Sequence, residues 1–407
     1  MVNDILYIGK FFPRDLLRLI SSDSKGKIGM SNHNFEMSII NGLCQQSGIN
    51  LRCITVPNVY SFPYNNERLY TKHESYKYKN SHILSIGFLN LPVIKEIWST
   101  VTLVVNLIKI FSQYTTNKID VIINTPNNDL LNAVNLAKFF TRKKITQTVI
   151  IPDIPSMVTA MDKQSKLKGM ILKYRNKQSM KMVCSSNGLV LLTEAMMDFI
   201  NRPMPHIVME GLVDVESMDI SIDERSSKKE VILYTGTLRK IFGVMNLVQA
   251  FQNVNQDEVE LWICGSGDSA EAIMEAASRD SRIHFLGLVD SQTALKMQRY
   301  ATILVNPRTS DGEYTKYSFP SKTMEYLLSG KSVIINRLPG IPEEYYQYVY
   351  TPKDESIEAM AECISNVLTS DSDSRKAKAQ SGRNFIISQK NSKVQTQRIL
   401  EMITKYQ

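Results

Sequence analysis

The chain has 407 residues, 43% of them hydrophobic and 22% charged, with a formal net charge of +8. That length accommodates two ordinary domains with full cores, and the composition is that of a globular protein rather than a disordered or fibrous one. No apolar run reaches the roughly 18 residues of a membrane span, and five scattered cysteines without metal-ligand spacing suggest reduced thiols, not a disulfide framework or a zinc site.

The opening Met-Val-Asn-Asp-Ile-Leu-Tyr-Ile-Gly runs straight into a strand over 5–8, so a secretory leader is not expected and the expected compartment is the cytoplasm. A glycine-bearing loop containing Lys27, Gly29 and His33 leads into a helix over 34–47. Strands are expected over 51–56, 83–86, 121–124, 146–151 and 188–192, alternating with helices over 94–113, 128–141, 164–183 and 194–201. Residues 57–82, rich in Tyr, Asn and Lys, read as an excursion near the cleft. The 94–113 segment carries Ile94, Ile97, Trp98, Val101, Val104, Val105, Ile108 and Phe111, with Lys95, Glu96, Asn106 and Lys109 on its other side. It reads as an amphipathic core helix.

Residues 161–183 hold seven basic residues (Lys163, Lys166, Lys168, Lys173, Arg175, Lys177, Lys181) against Asp162 alone, interleaved with Leu167, Met170, Ile171, Leu172 and Met180. Two readings stay open: peripheral docking on anionic headgroups at the inner face of the cell membrane, or a solvated basic face on a core helix. Nucleic acid is not the expected partner, since no aromatic interleaving accompanies the charge.

Residues 214–230 are polar and charged and read as a linker. The alternation then restarts: strands over 231–235, 259–264, 282–286, 302–306 and 332–336, helices over 243–252, 268–279, 290–299 and 320–329. Two closing helices follow, over 354–369 and 373–405, the second broken near Asn391. The expected fold class is α/β, with two Rossmann-like doubly wound domains facing across a cleft. The domains are 1–213 and 231–385, with 386–407 a C-terminal helix packing back on the first.

Open α/β sheets bind ligands beyond the carboxyl ends of their strands. In the second domain that rule collects four loops. They are Gly236-Thr-Leu-Arg-Lys-Ile-Phe-Gly243 with Arg239 and Lys240, Gly265-Ser-Gly-Asp268, Gly287-Leu-Val-Asp290, and Pro307 to Lys316 with Asp311 and Glu313. The last leads into Tyr317-Ser-Phe-Pro-Ser-Lys-Thr-Met-Glu-Tyr326, where Pro320 suits a helix start and Gly330 a helix stop. The N–H groups of Ser321, Lys322 and Thr323 are expected to be free there, an anion site at a helix start. Lys322 and Glu325, three apart, project from one face, a cation for a diphosphate and a carboxylate for ribose hydroxyls. Each loop alone reads more simply as a plain turn; their convergence on one sheet edge favours a nucleotide-sugar site. In the first domain Asp153 reads either as a polar contact to a sugar or as a turn or cap residue, and His33 either as a cleft residue or as a loop cap.

These residues resemble a family. The stretches Gly236-Thr-Leu-Arg, Leu261-Trp-Ile-Cys-Gly-Ser-Gly, Arg282-Ile-His-Phe-Leu-Gly-Leu-Val, Val305-Asn-Pro-Arg and Tyr317 to Tyr326 are similar to family 4 retaining glycosyltransferases of the GT-B fold, of the bacterial capsular or exopolysaccharide type. The resemblance implies that Lys322 and Arg239 neutralise the diphosphate, helped by Lys240, and that Glu325 holds the ribose. Backbone at Gly236, Gly265 and from Ser318 through Phe319 and Pro320 to Ser321 would contact phosphate and sugar, and Leu288 and Val289 would hold the base. Lys27, Gly29 and His33 would form the N-terminal loop, with Asp153 catalytic. It departs from the family at Tyr317, where a glutamate is usual, and at Thr237 and Phe242, where Arg and Lys are usual; Asp311 or Glu313 could replace the missing carboxylate.

The implied activity is retaining, metal-independent transfer from a nucleoside-diphosphate sugar, without cofactor, to a glycan or lipid-linked oligosaccharide. The alternatives are a nucleotide-sugar 2-epimerase and a two-domain sugar-binding protein.

Overall fold

The computed structural model describes residues 3–13, 17, 30–63, 69–92, 94–160, 166–216 and 229–406. Lys27, Gly29, residues 161–165 and most of the 214–230 linker lie outside the described residues. The chain divides into two compact units, Met1–Asp214 together with Ser392–Gln407, and Val215–Asn391.

The first unit contains β1 (Asn3–Gly9), α1 (Met30–Cys44), β2 (Ile49–Thr55), β3 (Tyr70–Thr71), β4 (Glu74–Tyr78), β5 (Ser81–Ser85), β6 (Phe88–Leu89) and α2 (Ile94–Gln113). Then come β7 (Lys118–Asn124), α3 (Asn128–Phe139), β8 (Lys144–Ile151), α4 (Pro155–Ala160), α5 (Lys166–Val183), β9 (Gly188–Leu191) and β10 (His206–Val208). Its main sheet has the order β10-β9-β8-β7-β1-β2-β5-β4. All pairings are parallel except β4 with β5. Ile5, Leu6, Tyr7 and Ile8 are all buried, because a central parallel strand is covered on both faces.

The segment 57–82 is more regular than its composition suggested. Its residues 74–78 form β4, an antiparallel edge strand with exposed Ser75 and Lys77. Such an edge carries polar side chains and so lacks the apolar run that marks an inner strand. The helix expected over 194–201 is a tighter 3-10 turn, Glu194–Phe199.

The second unit contains β11 (Glu230–Thr237), α6 (Val244–Gln252), β12 (Val259–Ser266), α7 (Ala270–Arg279), β13 (Ile283–Gly287) and α8 (Ser291–Tyr300). β14 (Ile303–Asn306), α9 (Lys322–Leu328), β15 (Ser332–Ile335), α10 (Ile357–Thr369) and α11 (Ser372–Gln389) complete it. The sheet order is β13-β12-β11-β14-β15, parallel throughout. Both sheets therefore reverse direction beside their first strand, between β1 and β7 and between β11 and β14.

The closing helix, α12 (Ser392–Lys405), returns to the first unit. It begins at Ser392, because α11 continues to Gln389 inside the second unit. The Ser392 N–H donates to the Val213 carbonyl at 2.9 Å, and Ile399, Met402 and Ile403 join Ile39, Ile40 and Leu43 of α1 in one core. Ile399 is fully buried. Ile399→Ala should therefore lower the first unit's stability by about 2–5 kcal/mol and leave the second unit's transition in place. Trp98 and Trp262 lie one in each unit, so single-tryptophan backgrounds followed by fluorescence in denaturant read the two separately. An unchanged Trp98 transition would remove α12 from that core.

Candidate functional site

The carboxyl ends of β11 and β14 flank the point where the second sheet's order reverses, the place where open α/β sheets receive ligands. The loops leaving those strands meet there. Gly243 has a φ of +71°, and a Cβ on it would lie 2.3 Å from the Pro307 carbonyl oxygen. Only glycine satisfies both the left-handed backbone and the close approach. Gly265 has a similar duty: its Cβ would come within 1.8 Å of the Gly236 carbonyl oxygen. This glycine lets the carboxyl ends of β12 and β11 lie close together.

Arg308, which the sequence reading assigned no role, lies at this junction. Its guanidinium sits 5.3 Å from the centre of the Phe242 ring and 4.6 Å from that of Tyr314, and Nη2 donates to Ser318 Oγ at 2.8 Å. Asn336 fixes the loop from beneath by donating to the Pro307 and Arg308 carbonyls. The Arg308 Nε is buried without an acceptor, and no carboxylate pairs with the side chain among the described residues. Burial pushes the guanidinium pKa down from its usual value. Ring faces offset part of that desolvation, yet the positive charge lacks a counter-ion.

The two residues of the central motif have found each other. Lys322 Nζ donates to Glu325 Oε1 at 2.6 Å, and Gln298 Nε2 donates both to Glu325 and, at 2.9 Å, to Thr235 Oγ1. Their side chains are 34% and 29% exposed, so an incoming ligand can reach both. α9 starts at Lys322, two residues later than expected, and the Thr323 N–H donates to the Pro320 carbonyl at 2.9 Å. The free amide expected at residue 323 is thus already used, because Pro320 and Ser321 form a tight turn before the helix. Phe319 and Pro320 are buried; the Phe319 ring packs 5.3 Å from Tyr345, which itself meets Phe385. Their side chains anchor the motif, leaving Ser321 exposed and Ser318 half-buried beside Arg308.

Arg239 is half-buried and Lys240 exposed on the loop after β11, with the Lys240 N–H held by Asp268 at 2.8 Å. Glu313 is exposed and opens the 3-10 turn Glu313–Tyr317. Gly236 lies at the end of β11, Gly265 one strand away, and Leu288 and Val289 two strands away, after β13. Leu288 is exposed and Val289 half-buried. All of these residues share the carboxyl edge of one sheet, and those on β11, β14 and α9 surround the reversal.

Asp153 and His33 belong to the first unit, where the reversal lies between β1 and β7. Glu36 of α1 is buried there. The Tyr7 hydroxyl donates to its Oε2 at 3.2 Å, and the Lys10 N–H approaches both carboxylate oxygens at 3.1 Å. Burial outweighs these donors and pushes the Glu36 carboxyl up to about 7. Sequence reasoning missed Glu36, because a buried acid on a helix looks like any solvated one. Lys10 Nζ pairs with Asp129 at 2.8 Å. His33 Nδ1 accepts from the Phe12 N–H at 3.3 Å, and burial lowers its pKa, so the neutral ring pins the backbone after β1. Asp153 stands two residues beyond β8. Its side chain reaches solvent, and desolvation by nearby protein pushes its carboxyl up to about 6.

Comparison with known proteins bears on this arrangement. Over its whole length the chain is similar to the sucrose-phosphate synthase of Thermosynechococcus elongatus, with a TM-score of 0.63 at 12% identity, covering 99% of this chain and 98% of that one. It is likewise similar to HepE of Anabaena, solved in complex with UDP, with a TM-score of 0.61 at 12% identity and coverage of 99% and 100%. A UDP-forming trehalose-phosphate synthase from Burkholderia xenovorans gives 0.63 at 11% identity, with coverage of 100% and 99%. The fold is GT-B.

Within this GT-B chain, residues 229–370 match the family described as Glycosyl transferases group 1. That span holds Arg239, Lys240, Arg308, Glu313, Lys322 and Glu325. An uncharacterised glycosyltransferase of Methanocaldococcus jannaschii is 24% identical over 201 residues, 46% of this chain and 50% of that one. The chain thus aligns with about half the length of that curated relative.

Glu36 also sets a pH dependence. With its pKa raised from 4.5 to about 7, the folded state holds more protons than the unfolded one between those values. Its favourable contribution is complete below 4.5 and disappears as pH rises through 7. Stability should fall across that window, by up to ~1.4 kcal/mol per pH unit, and Glu36→Gln should flatten the slope. Denaturant midpoints measured through the window check this; an equal slope in the Gln variant would place the titration elsewhere.

Proposed function

We propose that the protein transfers a sugar from a nucleoside-diphosphate sugar to a glycan acceptor. The observation that carries this reading is the Arg308 guanidinium, which has no carboxylate partner among the described residues, on the loop after β14, together with the Lys322–Glu325 pair of α9 at the same carboxyl edge of the second unit's sheet. A half-buried cation without a counter-ion favours an anionic ligand, and a diphosphate with two charged groups suits two cations. The match of residues 229–370 to glycosyltransferases supports the same reading, as does the UDP complex of the similar Anabaena protein.

In the proposed reaction the bond from C1 to the diphosphate oxygen breaks and a bond from C1 to an acceptor oxygen forms. The acceptor hydroxyl proton passes to the departing phosphate oxygen on the same face, which retains the anomeric configuration. Lys322 and Arg308, with Arg239 and Lys240 at the rim, stabilise negative charge as it develops on the leaving group. Glu325 turns from Lys322 to the ribose hydroxyls, and Gln298 keeps its carboxylate oriented. These cations supply the charge that a metal would otherwise provide, so we propose a metal-independent reaction. Asp153, with its raised pKa, is the proposed polar contact of the first unit. Leu288 and Val289 would flank the base. The proposed acceptor is a lipid-linked oligosaccharide of surface polysaccharide synthesis, reached at the inner face of the membrane with help from the basic 161–183 segment.

Incubation with a panel of nucleotide sugars tests the class. Nucleoside diphosphate released only when acceptor is present is expected, with undiminished rate in EDTA. Free epimerised sugar would indicate an epimerase, and binding without turnover a binding protein.

Two substitutions test the site. Lys322→Ala should lower turnover by about 10²–10³, the range for losing one preorganised charge-stabilising donor, with the unfolding transition retained. Arg308→Gln should weaken UDP or GDP binding by about tenfold to a hundredfold in calorimetry, the loss of a hydrogen bond to a charged group. Unchanged affinity in that variant would remove Arg308 from the phosphate site.

A further inference from the structure

The 94–113 helix is apolar on two sides. Its core face in the structure is Ser99, Leu103, Leu107, Ile110 and Phe111. Ile94, Ile97, Trp98, Val101 and Val105, read from the sequence as core, are instead exposed, Ile97 at 63% and Val101 at 59%. They fall at i, i+3, i+4, i+7 and i+11, a single stripe about three turns long. Scattered exposed apolar residues are ordinary, but a continuous stripe including tryptophan indicates a contact surface.

The stripe has a neighbour. Arg175 of α5 pairs with Glu96 in the first turn of α2 at 2.9 Å, and Asn128 at the start of α3 donates to the Arg175 carbonyl. The middle of α5 is therefore tied to the starts of both helices, next to the carboxyl edge of the sheet. On α5 itself Met170, Ile171 and Tyr174 are exposed, at 67%, 53% and 65%, and Lys173, Lys177 and Lys181 lie exposed around and beyond them. Taken by sequence, α2 and α5 hold eight basic residues (Lys95 and Lys109; Lys166, Lys168, Lys173, Arg175, Lys177 and Lys181) against Glu96, which is already paired.

We propose that the outward stripe of α2, with the adjoining exposed residues of α5, is a docking surface for an anionic lipid bilayer. The charge argues for that occupant. A protein partner or a second copy of this basic chain would need matching acids, whereas an anionic leaflet supplies a uniform negative surface. Aliphatic residues flanked by tryptophan, tyrosine and lysine are the composition of an interfacial helix, whose apolar side enters the headgroup boundary while ammonium groups meet phosphate. The inference deepens the lipid-linked acceptor reading, and it places the contact mainly on α2 rather than on the basic segment alone.

Co-sedimentation with vesicles tests it without donor or acceptor, so its outcome is separate from that of the transfer reaction. The full chain should pellet with phosphatidylglycerol-containing vesicles and remain in solution with pure phosphatidylcholine. Ile97→Glu combined with Val101→Glu changes only exposed positions and should lower partitioning at least tenfold, with the unfolding transition unchanged. Lys173→Glu combined with Lys177→Glu should weaken binding and reduce its dependence on salt. Failure of the unaltered chain to bind anionic vesicles overturns the proposal, as does equal binding by the Ile97/Val101 variant. A wild-type dimer that becomes monomeric in that variant, seen by sedimentation velocity, would assign the stripe to a second copy and equally overturn it.

Discussion

Among the described residues, Arg308 is a cation without an anion at the carboxyl edge of the second unit's sheet. The Arg308 side chain is half-buried, its ring neighbours are neutral, and its hydroxyl partner on Ser318 carries no charge. A well-solvated arginine would cost little, but this one has given up water at Nε without an acceptor in return. Such a deficit persists where surrounding structure enforces it. Here Asn336 fixes the Arg308 backbone, the loop after β11 supplies Phe242, and Gly243 lets that loop press against Pro307. The position of Phe242 is informative, since its ring lies 5.3 Å from the Arg308 guanidinium. An aromatic face cannot replace an ammonium, but it can hold a guanidinium that reaches in from the neighbouring loop.

The two units use one topological device with different electrostatics. Each sheet reverses beside its first strand, and each reversal collects polar groups. In the second unit these include Arg308 and Lys322, with Arg239 and Lys240 nearby. In the first they include Glu36, whose carboxyl burial has raised to about 7, while Lys10 is committed to Asp129. A cationic edge suits a ligand that arrives with charge and leaves with more. At the first unit's edge, burial instead holds the carboxyls of Glu36 and Asp153 toward neutrality.

Much of this was legible in the sequence because parallel sheets leave a strong trace. Inner strands such as 5–8 and 303–306 must be apolar on both sides, and each must be followed by a covering helix, so the alternation is unambiguous. The edge strand β4 left no such trace, since Ser75 and Lys77 face solvent. The loops after β11 and β14 were legible as a site because glycine, proline and charge cluster at strand ends. Arg308 was not, because its significance comes from what fails to surround it. Glu36 was hidden for the same reason: burial of an acid depends on the packing of β1, α1 and β7 together, and no local pattern encodes it.

α2 shows where periodicity stops being enough. A 20-residue helix with apolar residues on one arc and lysines on another predicts which side is buried only if one side alone is apolar. In α2 the arcs centred on Leu103 and on Val101 both qualify, and sequence hydrophobicity cannot rank them. Packing can: Ser99 is buried because a small residue allows close approach to the layer beneath, whereas Trp98 is too bulky for that side and faces out. The core then needs only one of the two arcs. Retaining the second leaves isoleucine, valine and tryptophan exposed among the described residues, and that exposed arc is the observation on which the proposed docking surface rests.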